Sequence, residues 1–229
     1  MPTIFTKRVW SMQLSSIILV CGHYGSGKTT FSLNLAFELA KTAPVTLIDL
    51  DIVNPYFRSS DYAQLLQTQN IRMIAPNFAG STLDTPSLSP AIGGALESAD
   101  GYVIVDVGGD DVGATALGCY KHILTAQPYD MLYVINKSRT QIDDTQQAMQ
   151  ILHEIETASG LRATGVVNNT HLCAETTAQT VLDSVDYAAD FCKAAGLPLF
   201  CTAYPDFAGV SADQVPNPYP VRALVKAPW

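Results

Sequence analysis

Ser16-Ile17-Ile18-Leu19-Val20-Cys21-Gly22-His23-Tyr24-Gly25-Ser26-Gly27-Lys28-Thr29 is the stretch from which the fold is read. An apolar run of strand length leads into a glycine-rich loop of the form G-x-x-x-x-G-K-[ST], and a helical pattern follows. In that context the glycines let backbone N–H groups converge on a phosphate, and the following helix N-terminus adds the positive end of its dipole. Gly22, His23, Tyr24, Gly25, Ser26, Gly27, Lys28, Thr29 and the adjoining Thr30 are therefore read as nucleotide-binding. Lys28 reaches the β- and γ-phosphates as a catalytic cation, and Thr29 offers its hydroxyl to Mg²⁺.

Working outward, apolar runs recur at 16–21, 45–50, 71–74, 102–105, 131–135, 165–167 and 199–201. Helix-like stretches lie between them at 28–41, 59–68, 91–99, 114–125, 141–158 and 177–195. The alternation predicts an α/β fold, a doubly wound, mostly parallel sheet with helices on both faces. In the first helix Phe31, Leu33, Leu35, Phe37 and Leu39 leave almost no polar face, which predicts deep packing beside a central strand. The segment 75–90, with Pro76, Gly80, Pro86 and Pro90, reads as an ordered loop near the ligand edge.

Two further strands end in carboxylates. Asp106 follows Tyr102-Val103-Ile104-Val105 and so emerges at the carboxyl end of a buried strand, where such sheets bind ligands. It is the candidate magnesium ligand, and Gly108, Gly109 and Gly113 after it suit a loop that responds to the γ-phosphate. Asp49 and Asp51 close the run Ile48-Asp49-Leu50-Asp51 on one strand face. Asp51 is the candidate for the attacking water and a second metal contact, whereas Asp49 reads equally well as a solvated strand end or a helix-capping acid.

Composition bounds the rest. The 229 residues suffice for one domain spanning the chain, with 1–14 as an N-terminal extension. Nearly half the residues are apolar and only 15% are charged, as in a compact folded protein. A net charge of −8 without a basic run removes the usual drive toward nucleic acid or anionic lipid. Cys21, Cys119, Cys173, Cys192 and Cys201 are odd in number and lack a Cys-x-x-Cys pair, which fits reduced thiols in the cytoplasm. His122, His153 and His171 show no paired metal-ligand spacing. Residues 9–27 carry no Asp, Glu, Lys or Arg but are interrupted by Ser, Gln, His and Gly, so they read as neither a spanning helix nor a signal peptide.

Taken together, the phosphate loop, Asp49-Leu50-Asp51 and Val105-Asp106-Val107-Gly108-Gly109-Asp110 resemble the MinD/ParA/nitrogenase-iron-protein group of P-loop ATPases (the SIMIBI class), which includes Mrp-type scaffolds and CobQ/CobB-type amide synthases. The resemblance implies ATP and Mg²⁺ as ligands and Asp51 as the acid tied to hydrolysis, with Asp110 also orienting water and Asp106 holding the metal. It further implies that Asn169 and the segment Pro205-Asp206 read adenine, and that ATP binding drives homodimerisation and engagement of a protein partner.

Departures from the group's pattern are equally informative. His23 stands where MinD-like members carry a signature lysine that reaches the partner's phosphates; Arg58, Lys137 or Arg139 are candidates to supply that charge in trans. Asn136-Lys137-Ser138-Arg139 is similar to the guanine motif Asn-Lys-x-Asp of metallochaperone GTPases, but Arg139 replaces the acid that guanine needs. Two alternatives follow: an amide synthase of the CobQ/CobB or dethiobiotin-synthase kind, and a metallochaperone-like GTPase. An iron–sulfur carrier is disfavoured because no cysteine lies between Gly22 and Gly118. Asn54, Pro55, Tyr56, Phe57 and Arg58 are read as equally suited to partner contact and to packing. Pro216, Pro218, Pro220 and Pro228 leave no long amphipathic helix in the tail for a membrane surface.

Overall fold

The computed structural model describes residues 14–51, 58–75, 89–98, 100–109, 111–140 and 143–224. The first unit is strand β1 (Ile17–Cys21), the phosphate loop and helix α1 (Lys28–Leu39), then β2 (Val45–Leu50). A 3₁₀ turn (Ser59–Tyr62), α2 (Ala63–Thr68), β3 (Ile71–Ile74), α3 (Pro90–Glu97) and β4 (Tyr102–Val107) follow. The second half runs α4 (Asp111–Gly118), α5 (Lys121–Leu124), β5 (Tyr129–Ile135), α6 (Thr145–Ser159) and β6 (Gly165–Asn168). It closes with α7 (Ala178–Leu182), α8 (Val185–Ala195), β7 (Leu199–Pro205) and β8 (Pro218–Val221).

The sheet has the order β3-β2-β4-β1-β5-β6-β7-β8, and every pairing in it is parallel. Strands β2, β3 and β4 lie on one side of β1 and β5 to β8 on the other, so the strand order reverses at β1. A crevice opens at such a reversal, outside the carboxyl ends of the strands. The phosphate loop leaves β1 at that point.

Both faces of the sheet are dry. Along β1, Ile17, Leu19 and Cys21 join one apolar cluster, which packs against α3, α4, α6 and α8. The alternate residues Ile18 and Val20 join the other, with Phe31, Leu35 and Leu39 of α1. Period-two geometry turns one continuous apolar run into two half-cores, which is why strands buried on both faces lose polar alternation. Helix α1 packs as its sequence predicts, with even Ser32 and Asn34 buried. The Asn34 amide accepts from the Arg222 N–H at 2.8 Å and donates to the Arg222 carbonyl at 3.0 Å, tying α1 to the chain beyond β8.

Seven of the strands coincide with the apolar runs; β8 does not. Its sequence Pro-Tyr-Pro-Val carries two prolines that cannot donate to a ladder. The strand is tolerated because it lies at the sheet edge and pairs with β7 alone. Buried Tyr219 secures it, edge-on to Phe31 with ring centroids 5.7 Å apart. Two of the predicted long helices are each divided, into α4 and α5 and into α7 and α8. Residues 76–88, which hold most of the segment expected as an ordered loop, lie outside the described residues, as do residues 52–57. No helix among the described residues is long and apolar enough to cross a membrane.

Phe191 of α8 is fully buried and stacks on Tyr133 of β5 at a centroid distance of 5.5 Å. Truncating such a side chain leaves a cavity that the close-packed core cannot collapse. Phe191→Ala is expected to cost about 3–5 kcal/mol, read as a lower urea midpoint at an unchanged slope; a midpoint equal to wild type would refute this account of the packing.

Candidate functional site

Each element delivers one part of the site. The loop between β1 and α1 turns so sharply that Gly25 and Gly27 adopt φ of +74° and +88°. At Gly27 the space is closed as well: a Cβ there would lie 2.2 Å from Asn169 Nδ2 and 2.8 Å from His171 Nε2. Only glycine fits. Gly27 also caps α1, and no side chain caps the helix there, so the first N–H groups of α1 face the loop interior.

Lys28, 8% exposed, folds back to donate from Nζ to the His23 carbonyl at 3.1 Å. Ser26 Oγ is buried and has no hydrogen-bond partner. An orphaned buried hydroxyl in the glycine loop fits an absent polar ligand. The loop thus has the cation, the amide donors and the unmet hydrogen-bonding capacity that a polyphosphate would satisfy.

Asp106, on β4 directly below the loop, is 3% exposed. Its Oδ1 accepts from Ser32 Oγ at 3.1 Å, and the Thr29 hydroxyl also bonds to the carboxylate. Burial pushes its pKa up to about 7, reinforced by neighbouring Asp49 and opposed by Lys28 and by the Thr29 and Ser32 hydroxyls. A carboxylate raised by burial has an unmet need for positive charge, and it meets a threonine hydroxyl as a second hard oxygen donor. That pairing fits Mg²⁺, which binds through one or two protein oxygens and shares the rest of its shell with phosphates and water. The described residues contain no cluster of three or more His, Cys, Asp or Glu.

Asp49 pairs in register with Asp106 across β2 and β4. Its two oxygens accept the backbone N–H groups of Asp51 at 3.0 Å and Ser60 at 3.2 Å, and burial raises its pKa. Asp49 therefore organises the chain leaving β2, the capping role open to it from sequence. The strand ends at Leu50, so Asp51 lies beyond the regular alternation, partly exposed. Asp110 and Asn54 to Phe57 lie outside the described residues.

Gly109 brings the segment after β4 against the loop: a Cβ there would sit 2.8 Å from the Tyr24 backbone and 2.9 Å from Lys28 Nζ. Beside this contact opens a cleft of about 700 Å³, lined by His23, Tyr24, Asp111, Gln150, Ile151 and Glu154 among others. Tyr24 is 54% exposed at its rim.

On the opposite side of the loop, Asn169 is buried at the end of β6 and donates from Nδ2 to the Ser26 carbonyl at 2.8 Å. Pro205 ends β7, while Asp206 is exposed and donates its N–H to the Val221 carbonyl. Arg139 Nε donates to the Gly25 carbonyl of its own chain at 2.9 Å, and Lys137 Nζ donates to the Asp183 carbonyl at 2.8 Å. His171 is also part of this group: burial and the Arg139 charge lower its pKa to about 4. The sequence signal for Arg139 was its place just after a buried strand; that for Ser32 was its position one helical turn after Thr29. His171 carried no such signal. His122 and His153 are exposed, and all five cysteines are free thiols.

A family model described as CobQ/CobB/MinD/ParA nucleotide binding domain matches residues 17–186, well over half of the chain. No curated protein matches. Among solved structures, the cell division protein FtsY of Thermotoga maritima is 19% identical with a TM-score of 0.51, over 82% of this chain and 61% of that one. FtsY of Mycoplasma mycoides is 13% identical with a TM-score of 0.55, over 85% and 62%. The signal recognition particle 54 kDa protein of Aeropyrum pernix K1, in complex with GDP, is 14% identical with a TM-score of 0.55, over 85% and 43%. The chain thus spans less than two thirds of each, and the likeness is one of fold.

The Asp106 shift has a sign that can be tested. The folded chain holds this proton up to about pH 7, the unfolded chain only to about pH 4. The stability conferred by the extra proton is complete below the lower value and is lost as pH rises through the upper one. Asp106→Asn is expected to flatten the fall in stability of nucleotide-free protein across this window by on the order of 4 kcal/mol, with a residual slope of the same sign from Asp49. Urea unfolding at a series of pH values checks this; an unchanged slope in the variant would contradict it.

Proposed function

The chain belongs to the CobQ/CobB/MinD/ParA nucleotide-binding domain family, and from that premise we propose that it is a Mg²⁺-dependent ATPase acting as a nucleotide-dependent switch. The observation that carries the reading is the convergence of Lys28, the Thr29–Asp106 pair and Gly109 at one end of the loop. A γ-phosphate placed there meets the lysine, the metal oxygens and the backbone of the segment after β4 together, so its loss on hydrolysis is felt by that segment. Asp51 and Asp110 are the proposed water-orienting acids. Dimerisation with ATP, a protein partner and a cytoplasmic location complete the proposal, the last supported by the five free thiols.

ATP is preferred to GTP on hydrogen-bond grounds. Guanine presents N1–H and a 2-amino group, both donors, and Arg139 has only donors to offer in return. Leaving such donors unpaired costs more than never having them. Asn169 and the Pro205-Asp206 turn, at the ends of neighbouring strands β6 and β7, are proposed to border the adenine. The amide-synthase alternative is less well supported, because Asp111 and Glu154 in the cleft beside the loop would repel a carboxylate substrate.

Lys28→Ala is expected to weaken nucleotide binding at least a hundredfold, as judged by titration with a fluorescent ATP analogue, with ATP displacing the analogue better than GTP. Asp51→Ala should retain binding and lose hydrolysis, accumulating as a dimer with ATP on size exclusion. Equal displacement by GTP would remove the base assignment; a monomer with ATP at every concentration would remove the dimer.

A further inference from the structure

A loop that binds phosphate through inward N–H groups must turn its carbonyls outward, and outward carbonyls need donors. Here they are supplied almost residue by residue. The His23 carbonyl takes Lys28 Nζ at 3.1 Å and the Ser26 N–H at 3.2 Å. The Gly25 carbonyl takes Arg139 Nε at 2.9 Å, the Ser26 carbonyl takes Asn169 Nδ2 at 2.8 Å, and the Gly27 carbonyl takes the Phe31 N–H at 3.0 Å. Two of these donors are side chains from loops more than a hundred residues downstream.

Those loops form a single unit. Asn136, fully buried, accepts the N–H groups of Ser138 at 3.0 Å and His171 at 3.3 Å, and its amide donates to the His171 carbonyl at 3.4 Å. The Arg139 N–H is bonded to the Asn136 carbonyl at 3.1 Å. Thr170 Oγ1 accepts the Lys137 N–H at 3.0 Å and donates to Asn168 at 2.8 Å, and Asn168 donates in turn to Ser184 at 2.8 Å. The turn after β5 is thereby fastened to the turn after β6, and Arg139 extends from a braced base although its own side chain is exposed.

We propose that Arg139 is a positioning residue that, together with Asn169, holds the phosphate loop in its anion-binding form before nucleotide arrives. The inference rests on the nucleotide-binding reading for its consequence, since a loop already in shape spends less of the ligand's binding energy on ordering. It also assigns Arg139 a task within its own chain, at the loop's outer rim, rather than across a dimer interface. His171, beside the same guanidinium, is neutral at physiological pH because burial and that charge oppose its protonation.

The test compares wild type, Arg139→Leu and Arg139→Lys. In nucleotide-free protein, ¹⁵N relaxation should give Gly25 and Ser26 order parameters near the rigid value of about 0.85 in wild type, falling below about 0.6 in the leucine variant, while β5 amides are unmoved. Affinity for the fluorescent ATP analogue should fall about tenfold in the leucine variant, the effect of one lost charge-assisted hydrogen bond. Lysine, which retains both donor and charge, should recover most of the order and the affinity. Unchanged loop order parameters in Arg139→Leu overturn the proposal whatever happens to affinity. Failure of wild type to bind any nucleotide would instead sink the function proposed above and leave the loop measurement readable.

Discussion

The burial of the Asp106 carboxylate beneath the phosphate loop is the constraint on which the site depends. A charge at 3% exposure between β2 and β1 is expensive, and Asp49 alongside makes it more so. The fold offsets that cost with Lys28 and with two hydroxyls from the first turns of α1, Thr29 and Ser32. A side chain so held has one direction in which to be relieved, upward, where the loop would carry a metal and phosphates. Stability is in this sense given up at the site, and ligand binding recovers it.

The same constraint explains why the elements meet where they do. The strand order reverses at β1, so the loop leaving β1 lies over the crevice, with β4 on one side and β5 on the other. From the β4 side come the acid and, through Gly109, the close approach of backbone to Tyr24 and Lys28. The β5 side contributes the braced turn with Arg139, and β6 beyond it contributes Asn169. One flank of the loop thus meets the segment after β4, and the other is fastened to the turns after β5 and β6.

Much of this was legible in the sequence because buried parallel strands and a phosphate loop leave strong local marks. Apolar runs such as Ile17 to Cys21 need no partner to be recognised, and the glycine spacing fixes the loop. What escaped was set by tertiary context. Edge strand β8 violates strand composition with its prolines and exists because Tyr219 packs on Phe31. Asp49 and Asp51 share a period-two spacing, yet β2 stops at Leu50; the spacing left Asp49 open as a catalytic, capping or solvated acid, and its full burial with bonds from the backbone of Asp51 and Ser60 decides against a solvated strand end. Arg139 and His171 act on the loop across more than a hundred residues of chain, a distance over which sequence spacing says nothing.

The division between the two ends of the site also bears on what fold likeness can carry. The phosphate end lies where the sheet opens a crevice: the glycines, lysine and threonine that follow β1 stand at the reversal of strand order. The base end is built from the turns after β5, β6 and β7, whose side chains the sheet does not prescribe. The likeness to a structure with GDP bound, at 14% identity and a TM-score of 0.55, is one of fold, and it leaves the choice of base to local donors and acceptors. In this chain those turns include Arg139, whose Nε is given to the Gly25 carbonyl of the phosphate loop, and Asn169, one of whose two amide N–H groups is given to the Ser26 carbonyl.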